Sequence, residues 1–293
     1  MLFKRVSVVV ITYNQENLIE KALQSILSQK TNFDFEIIIN DDASTDTTSN
    51  IIKEFELKYP KILKPIYQKQ NQYSKNINPW FDITFPLIKS KYIAVCEGDD
   101  YWTDENKLQQ QFDFLESNLE YSCVFHDSII VDENNNYISD FNQYKPQNPI
   151  PEKDIIRKGG NLAFTASMFF RNYGQYPEFL KKAKSGDRAL RLFLMTKGKF
   201  HFIDKKMCAY RKHNNGLTQG GSLVARIPFI ESNIDLLNNF NIYTKFKYET
   251  YIDRELSNMA KNYSYFTKTI SNKYTEHLNF LDKLKTIVYK VIK

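Results

Sequence analysis

The sequence predicts an α/β layered domain with a mostly parallel sheet over residues 1–221, followed by a helical region over 222–293. Through the first half, apolar β-branched runs alternate with segments of helical periodicity, the order expected when helices cover a parallel sheet. Polar clusters at 12–14, 41–46 and 97–100 each follow a predicted strand at once. In such sheets ligands bind outside the carboxyl ends of the strands, so the three turns are expected to face one crevice. From about Ser222 onward the pattern is helical throughout.

Val6-Ser7-Val8-Val9-Val10-Ile11 is nearly continuous in β-branched residues and reads as a buried strand, broken by Thr12-Tyr13-Asn14. Leu18, Ile19, Ala22, Leu23, Ile26 and Leu27 recur at helical spacing within 15–29. A second strand is expected at 35–39, a helix at 47–59 ended by Pro60, and a third strand at 62–67. A polar stretch and a helix reaching Lys89 lead to the apolar run Tyr92-Ile93-Ala94-Val95-Cys96. Leu108, Phe112 and Leu115 then put a stripe on a helix, with Thr103 as its cap and Asp104 and Glu105 in its first turn. Strands are expected at 122–131, 164–170, 200–203 and 207–210, and a helix at 185–196. Between them 141–160, with Pro146, Pro149, Pro151 and Gly159-Gly160, is expected to be a long surface loop. Ile252, Leu256, Met259, Tyr263 and Phe266 make one late stripe, and Leu281, Leu284, Val288 and Val291 another.

Composition excludes little. The 293 residues, 42% apolar and 25% charged, can bury a proper core. A net charge of +6 is compatible with nucleic acid, an anionic membrane or a phosphorylated ligand. Cys96, Cys123 and Cys208 have no paired spacing, against a disulfide scaffold or a zinc site and for buried thiols in a reducing compartment. No leader segment is read at the N-terminus, and no apolar run approaches the roughly 20 residues of a membrane span. The expectation is a cytoplasmic protein.

The most informative stretch is Glu97-Gly98-Asp99-Asp100-Tyr101-Trp102 at the end of a predicted buried strand. Acids there are costly unless a cation neutralises them. A divalent metal carrying a phosphorylated ligand suits the pattern, because hard cations take carboxylate oxygens and complete their shell from phosphate. The alternative, a loop leading into a helix start, accounts for 103–105 but not for these three acids.

Four segments in order resemble the inverting family 2 glycosyltransferases of the GT-A fold. They are Val8-Val9-Val10-Ile11-Thr12-Tyr13-Asn14, Asp41-Asp42-Ala43-Ser44-Thr45-Asp46, Glu97-Gly98-Asp99-Asp100-Tyr101-Trp102 and Ser185-Gly186-Asp187. The family usually has Gly where Ala43 stands, and Glu97 replaces the first Asp of its DxD element. The similarity runs over about 5–215 and implies a nucleotide-binding α/β/α sandwich with a C-terminal helical extension. By resemblance, Thr12 and Tyr13 contact the nucleotide base, Glu16 the nucleotide half of the donor, and Asp42 hydrogen-bonds the base. Asp99 binds Mn²⁺ or Mg²⁺ and His213 meets the metal or the diphosphate, while Glu97 and Asp100 position ribose or sugar. Lys75, in Tyr73-Ser74-Lys75-Asn76, takes the place of a phosphate-binding Arg. Asp187 becomes the general base; without the resemblance it reads as an acid in the first turn of a helix capped by Ser185, with no catalytic role.

The resemblance further implies a nucleotide-sugar donor, with UDP-sugar expected. The acceptor would be a glycan or lipid-linked molecule in bacterial surface polysaccharide synthesis, and no nucleic-acid partner is expected. His126, His201 and His277 are read as packing or surface residues. Lys283, Lys285, Lys290 and Lys293 beside the last apolar stripe make either a solvated helix face or a peripheral membrane contact. A non-catalytic nucleotide-sugar-binding sensor or scaffold on the same fold is the alternative function. A sugar-phosphate nucleotidyltransferase lacks its Gly-rich basic loop, and a nicotinamide enzyme its G-x-G-x-x-G.

Overall fold

A computed structural model of the chain describes residues 5–142, 145–213 and 223–273. It has two compact units, one of Met1–Lys182 with Gly186–His213, the other of Ala183–Ser185 with Asn214–Lys293. The first opens with β1 (Val6–Thr12), α1 (Ile19–Leu27), β2 (Phe35–Asp41), α2 (Thr48–Lys58), β3 (Leu63–Tyr67) and β4 (Tyr92–Glu97). It continues with β5 (Tyr101–Trp102), α3 (Lys107–Ser117), β6 (Tyr121–Asp132), β7 (Tyr137–Asp140), α4 (Glu152–Lys158) and β8 (Phe169–Arg171). It closes with α5 (Glu178–Lys181), α6 (Gly186–Met195) and β9 (Lys199–Lys212).

The described strands form one sheet in the order β3-β2-β1-β4-β8-β6-β9-β5, with β7 beside β6. β1, β2, β3 and β4 are mutually parallel; β8 runs against β4 and β6, and β5 against β9. The expected mixed, mostly parallel sheet is therefore present. β1 and β4 are buried on both faces, as their nearly unbroken apolar sequences require, while β3 at the sheet edge is partly exposed. Ile19, Ala22, Leu23 and Ile26 of α1 and Leu108, Phe112 and Leu115 of α3 join the strands in that core. Cys96, Cys123 and Cys208 are free and buried.

Three expectations are corrected. The segment expected as a long surface loop contains α4, and Ile150, Ile155 and Ile156 are all buried. Its prolines mark the helix start, since Pro151 precedes the first helical residue, where a missing N–H costs nothing. The two short strands at 200–203 and 207–210 are one strand, β9, whose pairing with β6 shifts register opposite His126, Asp127 and Ser128. Such irregularities bend a strand without ending it. Thr103 caps no helix: α3 starts at Lys107, and Asp104 accepts the Asn106 N–H at 2.8 Å in the turn before it. Lys107 itself is buried. Its ammonium lies 4.1 Å from the Trp102 ring centroid and donates to Gln111 Oε1 at 2.7 Å.

The second unit includes α7 (Leu223–Tyr243) and α8 (Glu249–Lys273). Leu236, Leu237 and Phe240 of α7 and Ile252, Leu256 and Tyr263 of α8 are buried. Tyr263 donates from its hydroxyl to Glu231 at 3.0 Å, tying the two helices together. The expected stripe at 281–291 lies outside the described residues, as does His277. Among the described residues no helix is long and apolar enough to cross a membrane.

Ile156→Ala should cost about 2–5 kcal/mol in urea unfolding, the range for truncating a fully buried aliphatic side chain. A loss under about 0.5 kcal/mol would instead mark a surface position. Ala43, in the turn after β2, holds φ +63°, a left-handed conformation that costs an L-residue roughly 1–2 kcal/mol. Ala43→Gly is expected to raise stability by about 0.5–1 kcal/mol in the same measurement, and no gain would mean the turn is unstrained. Burial lowers the Lys107 ammonium from 10.5 to about 8. Between those values the unfolded chain binds the extra proton, so stability should rise with pH across that window. Lys107→Met should flatten that part of the stability curve.

Candidate functional site

Parallel neighbours end at the same edge of the sheet, so register alone brings three turns together. Thr12 pairs with Asp41 across β1 and β2, and Ile11 with Glu97 across β1 and β4. Past those pairs the chain is still tied: Asp42 N–H donates to Thr12 O and Gly98 N–H to Ile11 O, both at 3.0 Å. A Cβ on Gly98 would stand 2.9 Å from Thr12 Cβ, so the acid turn can lie against the first turn only as glycine.

The first two turns are knit by side chains. Asn14 N–H donates to Ser44 Oγ at 2.9 Å, Gln15 N–H to Thr48 Oγ1 at 2.8 Å, and Glu16 N–H to Asp46 Oδ2 at 3.2 Å. In return, Glu16 Oε2 accepts from the Thr47 N–H at 2.9 Å and the Thr47 hydroxyl at 2.6 Å. Thr12 is buried and donates to Gln15 Oε1 at 2.7 Å, while Tyr13 beside it is 43% exposed. Asp41 accepts from the Ser44 N–H and hydroxyl and from the Ser49 hydroxyl. Asp42, also buried, accepts the N–H groups of Gln72 at 2.7 Å and Tyr73 at 3.0 Å. An ionised carboxylate offers about four acceptor positions, so these bonds aim Asp42 and leave it further capacity. Lys75 follows in the same segment, with its ammonium on Gln70.

The remaining acids sit together at the end of β4. Burial pushes the Glu97 carboxyl up to about 8, helped by Asp99 and Asp187 and opposed by a hydrogen bond from Thr165. Asp100 is raised well above the ordinary range by burial, then by Asp99 and Glu97. Its Oδ1 accepts the Arg211 N–H at 3.0 Å. Arg211 is held in turn by Asn135 at 2.9 Å, Leu18 O at 3.1 Å and the Tyr101 ring at 4.7 Å. Arg211 lies on β9 and is buried. Asp99 Oδ2 lies 3.0 Å from His213 Nε2, and that bond raises the imidazole pKa above its usual value.

Asp187 stands in the first turn of α6 and contacts Arg191 one turn later, Oδ2 to Nη2 at 2.6 Å. Arg191 is 1% exposed against 26% for the Asp187 side chain. A buried guanidinium thus holds a carboxylate that opens toward solvent. Arg191 also donates to Ala163 O at 3.3 Å. The sequence reading missed Arg191, although its i,i+4 spacing from Asp187 was a visible signal.

Glu97, Asp99, Asp100, Asp187 and His213 are therefore brought into one electrostatic group; Thr12, Tyr13, Glu16 and Asp42 occupy the adjoining turns. Among the described residues no cluster of three or more His, Cys, Asp or Glu side chains is placed to hold a metal alone. A carboxylate and an imidazole in contact, beside the buried acids Glu97 and Asp100, nevertheless fit Mn²⁺ or Mg²⁺ that draws its other ligands from phosphate and water.

Comparison with known proteins gives this arrangement a family. The family model described as glycosyl transferase family 2 matches residues 7–176. An uncharacterized protein of Mycobacterium bovis, Mb1547, is 31% identical over 211 residues, which is 72% of this chain and 60% of that protein. The chain thus spans about 60% of the length of this and the two Mycobacterium tuberculosis relatives that match it equally. The dTDP-rhamnosyl transferase RfbG of Shigella flexneri is 38% identical over 112 residues, covering 36% of each chain. Among solved structures, residues 1–349 of S. aureus TarS in complex with UDP share the fold at a TM-score of 0.61 and 17% identity, covering 98% of this chain and 80% of that one. The mannosyltransferase PcManGT of Pyrobaculum calidifontis, in complex with GDP-Man and Mn²⁺, gives 0.54 at 12% identity, covering 100% and 86%. With its GT-A sheet and the family match across more than half its length, the chain belongs to glycosyl transferase family 2.

Proposed function

We propose that this protein transfers a hexosyl or N-acetylhexosaminyl group from a nucleotide-diphosphate sugar, UDP-sugar by preference, to a hydroxyl of a glycan or lipid-linked acceptor. The observation that carries the reading is the solvent-facing Asp187 carboxylate, anchored by buried Arg191 and electrostatically coupled to the acids at the end of β4. Solved neighbours in complex with UDP, UDP-GlcNAc and GDP-Man support a nucleotide-sugar donor. Relatives described as RfbG and as the putative teichuronic acid glycosyltransferase TuaG support a role in surface polysaccharide synthesis. A peripheral contact of the C-terminal helix with the inner face of the cell membrane would bring a lipid-linked acceptor within reach.

In this reading Thr12, Tyr13 and Asp42 receive the base, and Glu16 the nucleotide half of the donor. Lys75 meets the diphosphate, and Glu97 and Asp100 orient ribose or sugar. Asp99 and His213 would hold Mn²⁺ or Mg²⁺, which supplies Lewis-acid stabilisation of the charge developing on the diphosphate. Asp187 takes the proton from the acceptor hydroxyl as its oxygen bonds to the anomeric carbon and the diphosphate departs from the opposite face. A single displacement inverts configuration and needs no second nucleophile. Arg191 holds the base while its carboxylate oxygen changes protonation.

Asp187→Asn keeps the side-chain size and removes the base. Sugar transfer to a pooled acceptor extract should fall by about 10²–10⁴-fold, the usual contribution of a general base. Calorimetric affinity for UDP with Mn²⁺ should stay within about threefold of wild type, well under the tenfold that 1.4 kcal/mol represents. Loss of nucleotide binding would move Asp187 to the donor site. Unchanged transfer would remove it from the chemistry, and donor binding without consumption by the wild type would favour a sensor.

A further inference from the structure

The α7–α8 turn exposes apolar surface that the transferase reading does not use. Ile242 is 64% exposed, Tyr243 40% and Phe246 55%, clustered within one turn of chain. Lys245 and Lys247 are interleaved with them and also exposed. No Asp or Glu occurs from Leu236 to Tyr248.

The backbone shows that this exposure is built in. Phe246 N–H donates to Asn241 O at 2.9 Å and Lys245 N–H to Ile242 O at 3.0 Å, the paired bonds of a Schellman helix end. Lys245 has φ +51° and Phe246 φ +62°. Glycine or asparagine usually takes such positions, so a phenylalanine there is held against a steric cost. In this motif the last side chain commonly packs on an apolar residue five places earlier. Here that residue is Asn241, which is buried, and the phenyl ring is turned outward. The hairpin beneath is firm, with Phe240 and Tyr248 stacked at 5.8 Å and 10°.

We infer that this hairpin tip is a docking surface for an anionic lipid bilayer. Its chemistry matches the membrane interface, where aromatic and aliphatic side chains enter the headgroup boundary and lysines meet lipid phosphates. Three apolar side chains on a convex turn are too few for a standard protein interface of roughly 800 Å² per partner. A second copy of the tip would bring lysine against lysine. The inference stands on these residues alone and needs neither the donor site nor the segment beyond Lys273.

The test uses the full chain, co-sedimented with vesicles of phosphatidylcholine alone or with phosphatidylglycerol added. Wild type should partition onto the anionic vesicles and be released by salt. Lys245→Gln/Lys247→Gln should weaken that partitioning on the order of 30-fold, at ~1 kcal/mol per lysine near the surface. Ile242→Gln/Phe246→Asn should weaken it at least roughly tenfold while keeping the thermal midpoint, because asparagine tolerates the left-handed turn. Vesicle binding that is absent in wild type, or equal in wild type and both variants, overturns the inference. So does light scattering that shows a dimer lost in the variants, which would assign the tip to a second copy.

Discussion

Everything at the candidate site follows from crowding carboxylates where the sheet's central strand runs out. Burial and mutual repulsion oppose ionising the acids there together, and the fold gives each a partner of its own. Asp187 has the Arg191 guanidinium, Asp99 the His213 imidazole, and Asp100 the Arg211 backbone N–H with its side chain nearby. Glu97 has a hydroxyl partner, Thr165, and burial pushes its carboxyl up to about 8, while Asp100 is also raised well above the ordinary range. The group is therefore pre-arranged but under-neutralised, which favours ligands that bring a cation or donate hydrogen bonds.

That arrangement depends on a turn network of a different kind. The loops after β1 and β2 exchange backbone and side-chain hydrogen bonds through Asn14, Glu16, Ser44, Asp46, Thr47 and Thr48. Asp41 and Asp42 are buried and spend acceptor positions on holding chain, Asp41 within its own turn and Asp42 on the segment carrying Lys75. The residues expected to meet the nucleotide are thus also those that fix the crevice wall. Such double use is economical, because a carboxylate oriented before the ligand arrives loses little freedom on binding.

The second unit follows another logic. α7 and α8 bury a shared apolar seam and turn outward the residues that a compact hairpin would be expected to cover. A left-handed phenylalanine between lysines is hard to explain by packing, since its ring is largely in solvent.

How much of this could be read without coordinates divides by range. Strands such as Val6–Thr12 and Tyr92–Glu97 and the stripe of α1 were legible, because burial on both faces or one face imposes a local pattern on the chain. The acids at 97–100 were conspicuous because carboxylates at a buried strand's end need a reason. The helix at 152–158, the continuity of β9 and the burial of Lys107 were not legible, since each is decided by what packs against it. Residues 185–187 show the boundary most clearly: the sequence by itself could offer Asp187 only as a helix-start acid or, by resemblance, a base. Its i,i+4 tie to Arg191 lies within one helix, but the burial of that arginine and the field of Asp187 on Glu97 belong to tertiary structure, because charge interactions act through space at distances that sequence separation does not report.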